Sequence, residues 1–418
     1  MLLKGISAYK RIKYNNINNS ILLIFILLGG FLIRWVFWNI HTFKGDISST
    51  FESMARFIVQ GNFVQYLNSQ RPHQPIYPIL LTPYYLFNLE LSTYTFWLHQ
   101  LLALATIYIV YQTANRLFGN ICSLISAALI SFNPMIAFWF SWISGDIPFH
   151  FFLALFSSAL IYRLEIENWK SLLFFFVSGI LCFLTRPEGL FVFIMGICLL
   201  AYQFLRRKLS LIISFIFIVG VSIFIFLLGL SSLYFDVNLR QKFFSNIHVA
   251  YPLFISSRLA TNSPSEQQKV YSSMGEVTDA AKNNHNFISA NYALSMAGLR
   301  FIKDHPLKWI KMYCLRFISI ITPSIFSPWW SLPHRIYDFF TFLFFVIGSL
   351  TASFWGGPAR FQSLSLTLMG FTIAFAISLF QREMDHRVPI SMFVLFSTVS
   401  PYGWLMAYRK LFFQRNYG

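Results

Sequence analysis

The stretch His41-Thr42-Phe43-Lys44-Gly45-Asp46, continuing ISSTFESMARFIVQGNFVQYLNSQRPHQPIYP to Pro78, sets how the rest of the chain is read. It follows the apolar run Ile21–Ile40 and is the first long polar segment after it. Asp46 stands six residues past that run, at the expected membrane–water boundary. A carboxylate beside lipid is costly and usually functional. Phe51–Ile58 has the pattern of a helix lying in the interface, and Gly61-Asn62 is a stop signal. Pro72, Pro75, Pro78 and Pro83 then predict a stiff re-entry toward the membrane, with short helical pieces on its surface.

Runs like Ile21–Ile40 recur at Leu172–Leu184, Leu209–Leu230, Phe339–Phe354, Phe361–Phe380 and Val388–Ala407. A helix of about 20 apolar residues crosses a hydrocarbon core of about 30 Å. Of the 418 residues, 56% are hydrophobic and 11% charged, against about 25% charged in soluble domains. The runs do not alternate in polarity as barrel strands do. The expected fold class is all-α, a polytopic helical membrane protein. The net charge of +17 would suggest nucleic acid in a soluble protein. Here it is read as orienting the spans and meeting anionic lipid. Cys122, Cys182, Cys198 and Cys314 lack metal-like spacing and read as small hydrophobes. Ile21–Ile40 lacks a cleavage site and reads as a retained span.

Lys4, Lys10, Arg11 and Lys13 put residues 1–20 on the cytoplasmic side. The core, 21–234, then holds seven spans and the first outer loop, 41–94. After Ile21–Ile40 come Thr95–Leu117, Ile121–Trp142, Pro148–Tyr162, Leu172–Leu184, Leu190–Phe204 and Leu209–Tyr234. Basic residues mark the inner ends, while the short loop 143–147 has none. Residues 235–335 form one large outer loop, with helical pieces at Ser265–Asn283 and Ile288–Ile302. The basic, amphipathic run from Leu307 leaves open whether 309–327 crosses the membrane, and the charge balance favours a surface position. Three spans within 336–408 and a cytoplasmic tail, 409–418, complete about ten transmembrane helices, or eleven if 309–327 crosses.

In this arrangement the outer face collects Asp46, Glu52, Arg71, His73, Asp146, Arg186, Glu188, Arg382, Asp385, His386 and Arg387. Carboxylates and cations together suit an anionic lipid headgroup and a proton-accepting group. Plainer readings exist for several of them. Arg186 and Glu188 fit a structural ion pair at a helix end, and Arg382, Asp385 and Arg387 fit a solvated turn. His99 reads as a packed or hydrogen-bonded residue within a span, and Arg34 as a side chain that snorkels outward. Trp142, Trp329, Trp330, Tyr402 and Trp404 read as interfacial anchors.

Several motifs share an order with one known family. Gly45-Asp46, Phe51, Ala55 and Gly61 precede Pro75-Ile76-Tyr77-Pro78. Ala114 to Gly119, Asn133-Pro134 and Ser144-Gly145-Asp146 follow. Thr185-Arg186-Pro187-Glu188-Gly189, Phe301 to Pro306 and Arg387-Val388-Pro389 complete the set. The pattern resembles the GT-C glycosyltransferases, in the branch of the protein O-mannosyltransferases and bacterial aminoarabinose transferases. The likeness is good over about the first 205 residues and patchy beyond them. It implies inverting transfer of a sugar from a polyprenyl-phosphate donor to an acceptor hydroxyl on a lipid, glycan or protein. It also implies a multi-pass protein of the bacterial cytoplasmic membrane with an outward-facing active site.

Carried over by position, Asp46 is the catalytic base. Asp146 is a second acid that holds a divalent metal ion or the donor. Arg71, His73, Arg186, Arg382 and Arg387 are candidates for the donor phosphate and sugar. Many relatives carry an acidic pair at the first position, whereas Ile47 follows Asp46 here; Glu52 is the substitute to consider. A carboxylate that takes the acceptor's proton is worth roughly 10²–10⁴-fold in rate. A lipid phosphate is already a good leaving group, so it needs cations rather than a second acid. Two other classes share parts of this pattern. A glycan polymerase or ligase would lean on Arg240, His248 and Arg258 of the large loop. A transporter or flippase would put its site at the bilayer midplane on interrupted helices, often with an internal repeat, and the sequence shows none.

Overall fold

The computed structural model describes residues 2–40, 46–62 and 75–208 apart from 141, 167 and 187, then 272–273, 276–277, 287–321, 332–380 apart from 356, and 387–413. The described chain is helical. The first part of the order is α1 (Leu2–Ile40), α2 (Asp46–Val59), α3 (Ile76–Leu86), α4 (Leu91–Phe118), α5 (Asn120–Ser131), α6 (Pro134–Phe140) and α7 (Asp146–Glu165). It continues with α8 (Trp169–Thr185), α9 (Glu188–Lys208), α10 (Phe287–Asp304), α11 (Pro306–Ile321), α12 (Leu332–Trp355), α13 (Arg360–Phe380) and α14 (Arg387–Phe413).

Asn19–Ile40, Leu91–Phe118 and Asp146–Glu165 are long and apolar enough to cross a membrane. Asn120–Ser131, Trp169–Thr185, Glu188–Phe204 and Phe339–Trp355 are apolar but shorter. Three such helices among the described residues fall short of the expected ten. One cause is local. The expected span Ile121–Trp142 is broken at Asn133-Pro134, where Pro134 opens α6 and the Asn133 side chain accepts from the Ile136 amide at 3.2 Å. Proline fits the first helical position but not the interior. The expected span Leu209–Tyr234 lies outside the described residues, as do most of Ser265–Asn283 and the end of 309–327.

The helix ends sort into two sets. Arg116 at the end of α4 pairs with Glu165 at the end of α7. Phe118 stacks on Tyr402 of α14 at 4.4 Å, and Lys410 lies 4.2 Å over the Trp355 ring at the end of α12. Tyr202 of α9 stacks on Phe361 at the start of α13, 5.8 Å apart. The basic residues expected at inner ends therefore share one end of the bundle. The starts of α7, α9 and α14 share the other with α2 and α3.

The interior is filled by Phe149, Phe156, Phe175, Phe345 and Phe396 among others. Ser and Thr hydroxyls within the helices largely donate to carbonyls three or four residues back, as Thr106, Thr113, Ser126, Ser178 and Thr367 do. This satisfies them without water. Two sequence readings change. Arg34 does not snorkel: it is 1% exposed, its Nε donates to Gln100 at 3.3 Å, and it lies over the Phe140 ring. Tyr402 and Trp404 serve helix packing, since Trp404 Nε1 donates to the Phe344 carbonyl at 2.9 Å and its ring stacks on Phe344. Trp329 and Trp330 lie outside the described residues.

Helices α12 and α14 meet through small residues, Gly348 and Ala352 against Ser400 and Gly403. Small residues let helix backbones approach closely in a membrane. A Cβ on Gly403 would collide with the Gly348 carbonyl. Gly403→Leu is expected to destabilise the protein by about 1–3 kcal/mol. A melting temperature in detergent lowered relative to the wild type is the measurement that checks it.

Candidate active site

Three helix ends meet around Arg186. The residue before a proline is pushed out of the helical region, and Pro187 follows Arg186. Arg186 accordingly caps α8 in an extended conformation, φ −150° and ψ 146°. Asp146 is in the first turn of α7 and Glu188 in the first turn of α9. Acids favour helix N-termini and cations favour C-termini. Each charge therefore sits where its own helix dipole favours it, and the three attract one another.

Arg186 Nη1 donates to Asp146 Oδ1. Its Nε and Nη2 donate to the two Glu188 oxygens at 3.1 and 3.0 Å. The second contact is a bidentate fork, the geometry that suits guanidinium to carboxylate. Ser144 Oγ donates to Asp146 Oδ2 at 2.7 Å. The Asp146 side chain is 2% exposed and the Arg186 side chain 16%. Arg186 also lies 5.7 Å over the Phe149 ring. Asp146 and Glu188 together exceed Arg186 by one negative charge.

Helices α2 and α3 pack beside this cluster. They meet through Phe51, Ala55, Tyr77 and Leu81, and Ile143 joins them from the segment before Asp146. Gly145 passes next to Tyr77 and the Thr185 carbonyl. Tyr77 is anchored from below. His99 Nδ1 is 3.0 Å from the Phe140 carbonyl, which only accepts, so Nδ1 carries the proton. His99 Nε2 then accepts from the Tyr77 hydroxyl at 3.0 Å. Burial holds the Tyr77 phenol well above its usual pKa, with Tyr94 and Glu52 adding to the shift, so it remains a donor. His99 is thus hydrogen-bonded within its span, as the sequence suggested.

The last helix reaches the same end. His150, four residues along α7 from Asp146, has Nε2 3.1 Å from Ser391 Oγ, four residues along α14 from Arg387. Four residues are about one turn, so Asp146 and Arg387 open their helices at a common level. Asp46 is the first residue of α2 and Glu52 is half-buried on the same helix. Arg71, His73, Arg382, Asp385 and His386 lie outside the described residues, as do Arg240, His248 and Arg258. Sequence alone marks Ser144 only as part of the Ser144-Gly145-Asp146 motif and does not single out His150 or Ser391. His150 was the more accessible of these two, since an i, i+4 relation to Asp146 places both on one helix face.

The donor set around Asp146 does not fit a divalent cation. Both carboxylate oxygens are engaged, one by a guanidinium that a cation would have to displace. Among the described residues no group of three or more His, Cys, Asp or Glu side chains converges to hold a metal ion. Arg186, expected among the donor-binding cations, has its charge already met by two carboxylates.

Residues 75–231 match the family model of the dolichyl-phosphate-mannose-protein mannosyltransferases, a GT-C-type glycosyltransferase domain. The matched stretch contains Tyr77, His99, Asp146, Arg186 and Glu188, and stops short of Asp46 on one side and Arg387 on the other. With the apolar helices, it supports a membrane glycosyltransferase of the GT-C type. No curated protein matches the chain.

Removing one partner of a buried ion pair strands the other, at about 3–5 kcal/mol. Arg186→Met is expected to lower stability by that amount. Adding Asp146→Asn and Glu188→Gln to it is expected to recover most of the loss. Thermal melts of the single and triple variants check this, and equal losses in both would contradict it.

Proposed function

We propose that the protein transfers a sugar from a polyprenyl-phosphate donor to an acceptor hydroxyl, with inversion, at the bundle end that carries Asp146. The main support is the family match over the stretch that contains the Asp146–Arg186–Glu188 cluster. That cluster lies beside the helices of the first outer loop, which Asp46 opens.

In this reading Asp46 is the general base. The acceptor oxygen attacks the anomeric carbon as its proton passes to the Asp46 carboxylate. The anomeric carbon–oxygen bond to phosphate breaks, and the electron pair leaves with the lipid phosphate. A base of this kind contributes roughly 10²–10⁴-fold. The growing phosphate charge calls for cations. Arg387 is the candidate whose helix start stands level with Asp146, and Arg71, His73 and Arg382 are the further candidates from sequence. Arg186 has a different role. With both flanking carboxylates on it, it fixes the ends of α7, α8 and α9 and so shapes the floor under the reacting groups.

One base with several cations differs from the two-carboxylate arrangement of glycosidases, and it suits a leaving group that needs no proton. The apolar helix faces toward lipid provide for the prenyl chain. The positive-inside distribution of Lys4, Lys10, Arg11 and Lys13 supports assigning the site to the outer face of the membrane. A bacterial cytoplasmic membrane is the setting we assign to it.

Asp46→Asn is expected to cut sugar transfer by roughly 10²–10⁴-fold while the protein still inserts and melts as wild type. Transfer by purified, reconstituted Asp46→Asn protein at the wild-type rate would remove Asp46 from the role of base.

A further inference from the structure

At the bundle end opposite Asp146, the ends of α4 and α7 and the start of α8 line an open cavity of about 660 Å³. It is lined by Gln112, Asn115, Arg116, Ser158, Tyr162 and Lys170, among others. Tyr162 is sixteen residues along α7 from Asp146, about 24 Å at helical rise. The cavity is therefore remote from the proposed chemistry, and nothing in the transfer reaction accounts for it.

Its electrostatics are lopsided. Arg116 pairs with Glu165 through Nε alone and lies 4.8 Å from the Tyr162 ring centroid. That leaves its terminal nitrogens without a protein hydrogen bond among the described residues. Lys170 makes no ion pair among the described residues and sits 6.0 Å from the Trp169 ring. Lys170 is also the second residue of α8, whose first turn contains no acid. A cation there opposes the helix dipole, so α8 itself gains nothing from Lys170. Two cations thus face one carboxylate, with amide and hydroxyl groups of Gln112, Asn115 and Ser158 beside them. Around the opening, Trp169 and Phe174 are exposed apolar rings. Basic pockets between helices at a membrane face suit phosphate headgroups.

We infer that this cavity is a binding site for a phosphate group, carried either by an anionic lipid or by a soluble phosphate. Lys170 and the free edge of Arg116 meet its charge, and the neutral polar groups complete its hydrogen bonds. The site is separate from the proposed glycosyl transfer and does not depend on Asp46.

Purified full-length protein in nanodiscs of mixed phosphatidylglycerol and phosphatidylcholine provides the test, read by native mass spectrometry of retained lipid. The wild type is expected to retain phosphatidylglycerol preferentially. Lys170→Gln, which breaks no ion pair, is expected to reduce that preference roughly fivefold, the weight of one basic residue at an anionic surface. Arg116→Gln with Glu165→Gln, which removes the pair without stranding a charge, is expected to reduce it as well. Arg409→Gln with Lys410→Gln removes two charges from the same bundle end outside the cavity, and the preference is expected to survive. A second arm uses inorganic phosphate in zwitterionic discs. A phosphate adduct that Lys170→Gln abolishes, without lipid preference, would support the site and make its source soluble. Equal loss in the Arg409/Lys410 control, or neither lipid nor phosphate retained in a Lys170-dependent way, would overturn the inference.

Discussion

The grip of Arg186 on Asp146 and Glu188 is the constraint on which the site depends. It joins the start of α7, the end of α8 and the start of α9 at one point. In water such a triad would contribute little, because exposed ion pairs are worth about 0–1 kcal/mol. With Asp146 2% exposed, the desolvation of each charge has to be offset by the others. Loss of any one member is then expensive. A cluster that resists rearrangement is a suitable floor for a reaction that needs its base and its cations held in register. The Tyr77–His99–Phe140 chain extends this fixity to α3, and the His150–Ser391 contact extends it to α14.

Elsewhere the apolar surroundings set the rules. Many polar groups within the helices find partners in the protein, though buried atoms such as Thr95 Oγ1 and Ser363 Oγ have no hydrogen-bond partner among the described residues. Gln100 serves two of them, accepting from Arg34 and donating to the Phe31 carbonyl at 3.3 Å. The bundle is tied by such contacts and by close passages at Gly348 and Gly403. The same economy explains why Arg34 turns inward. Aligned with Gln100 and the Phe140 ring, the guanidinium has a partner in the interior that a purely sequence-based reading could not see.

What was legible in the sequence followed from one-dimensional signals. Apolar run length gave the helices, and basic residues at their ends gave the two faces. The Ser144-Gly145-Asp146 step marked the polar end of the bundle, and it lies within the stretch that matches the family model. The break at Asn133-Pro134 is written there too, but its uniformly apolar flanks read as one continuous span. The partner of Arg186 was less accessible. Glu188 is two residues away and was considered, whereas Asp146 is forty residues away and meets it only after two helices fold back. Hydroxyls such as Ser144 and Ser391 were illegible for a simpler reason. Their residue type is common, and only their position gives them a role.

The central claim is that a polyprenyl-phosphate sugar is the donor. Reconstituted protein incubated with a panel of labelled polyprenyl-phosphate sugars, with the free lipid phosphate quantified, tests it most directly. The account predicts that at least one donor is consumed and releases polyprenyl phosphate in step with glycosylated acceptor. No donor consumed, alongside protein-dependent solute flux into the same liposomes, would contradict it.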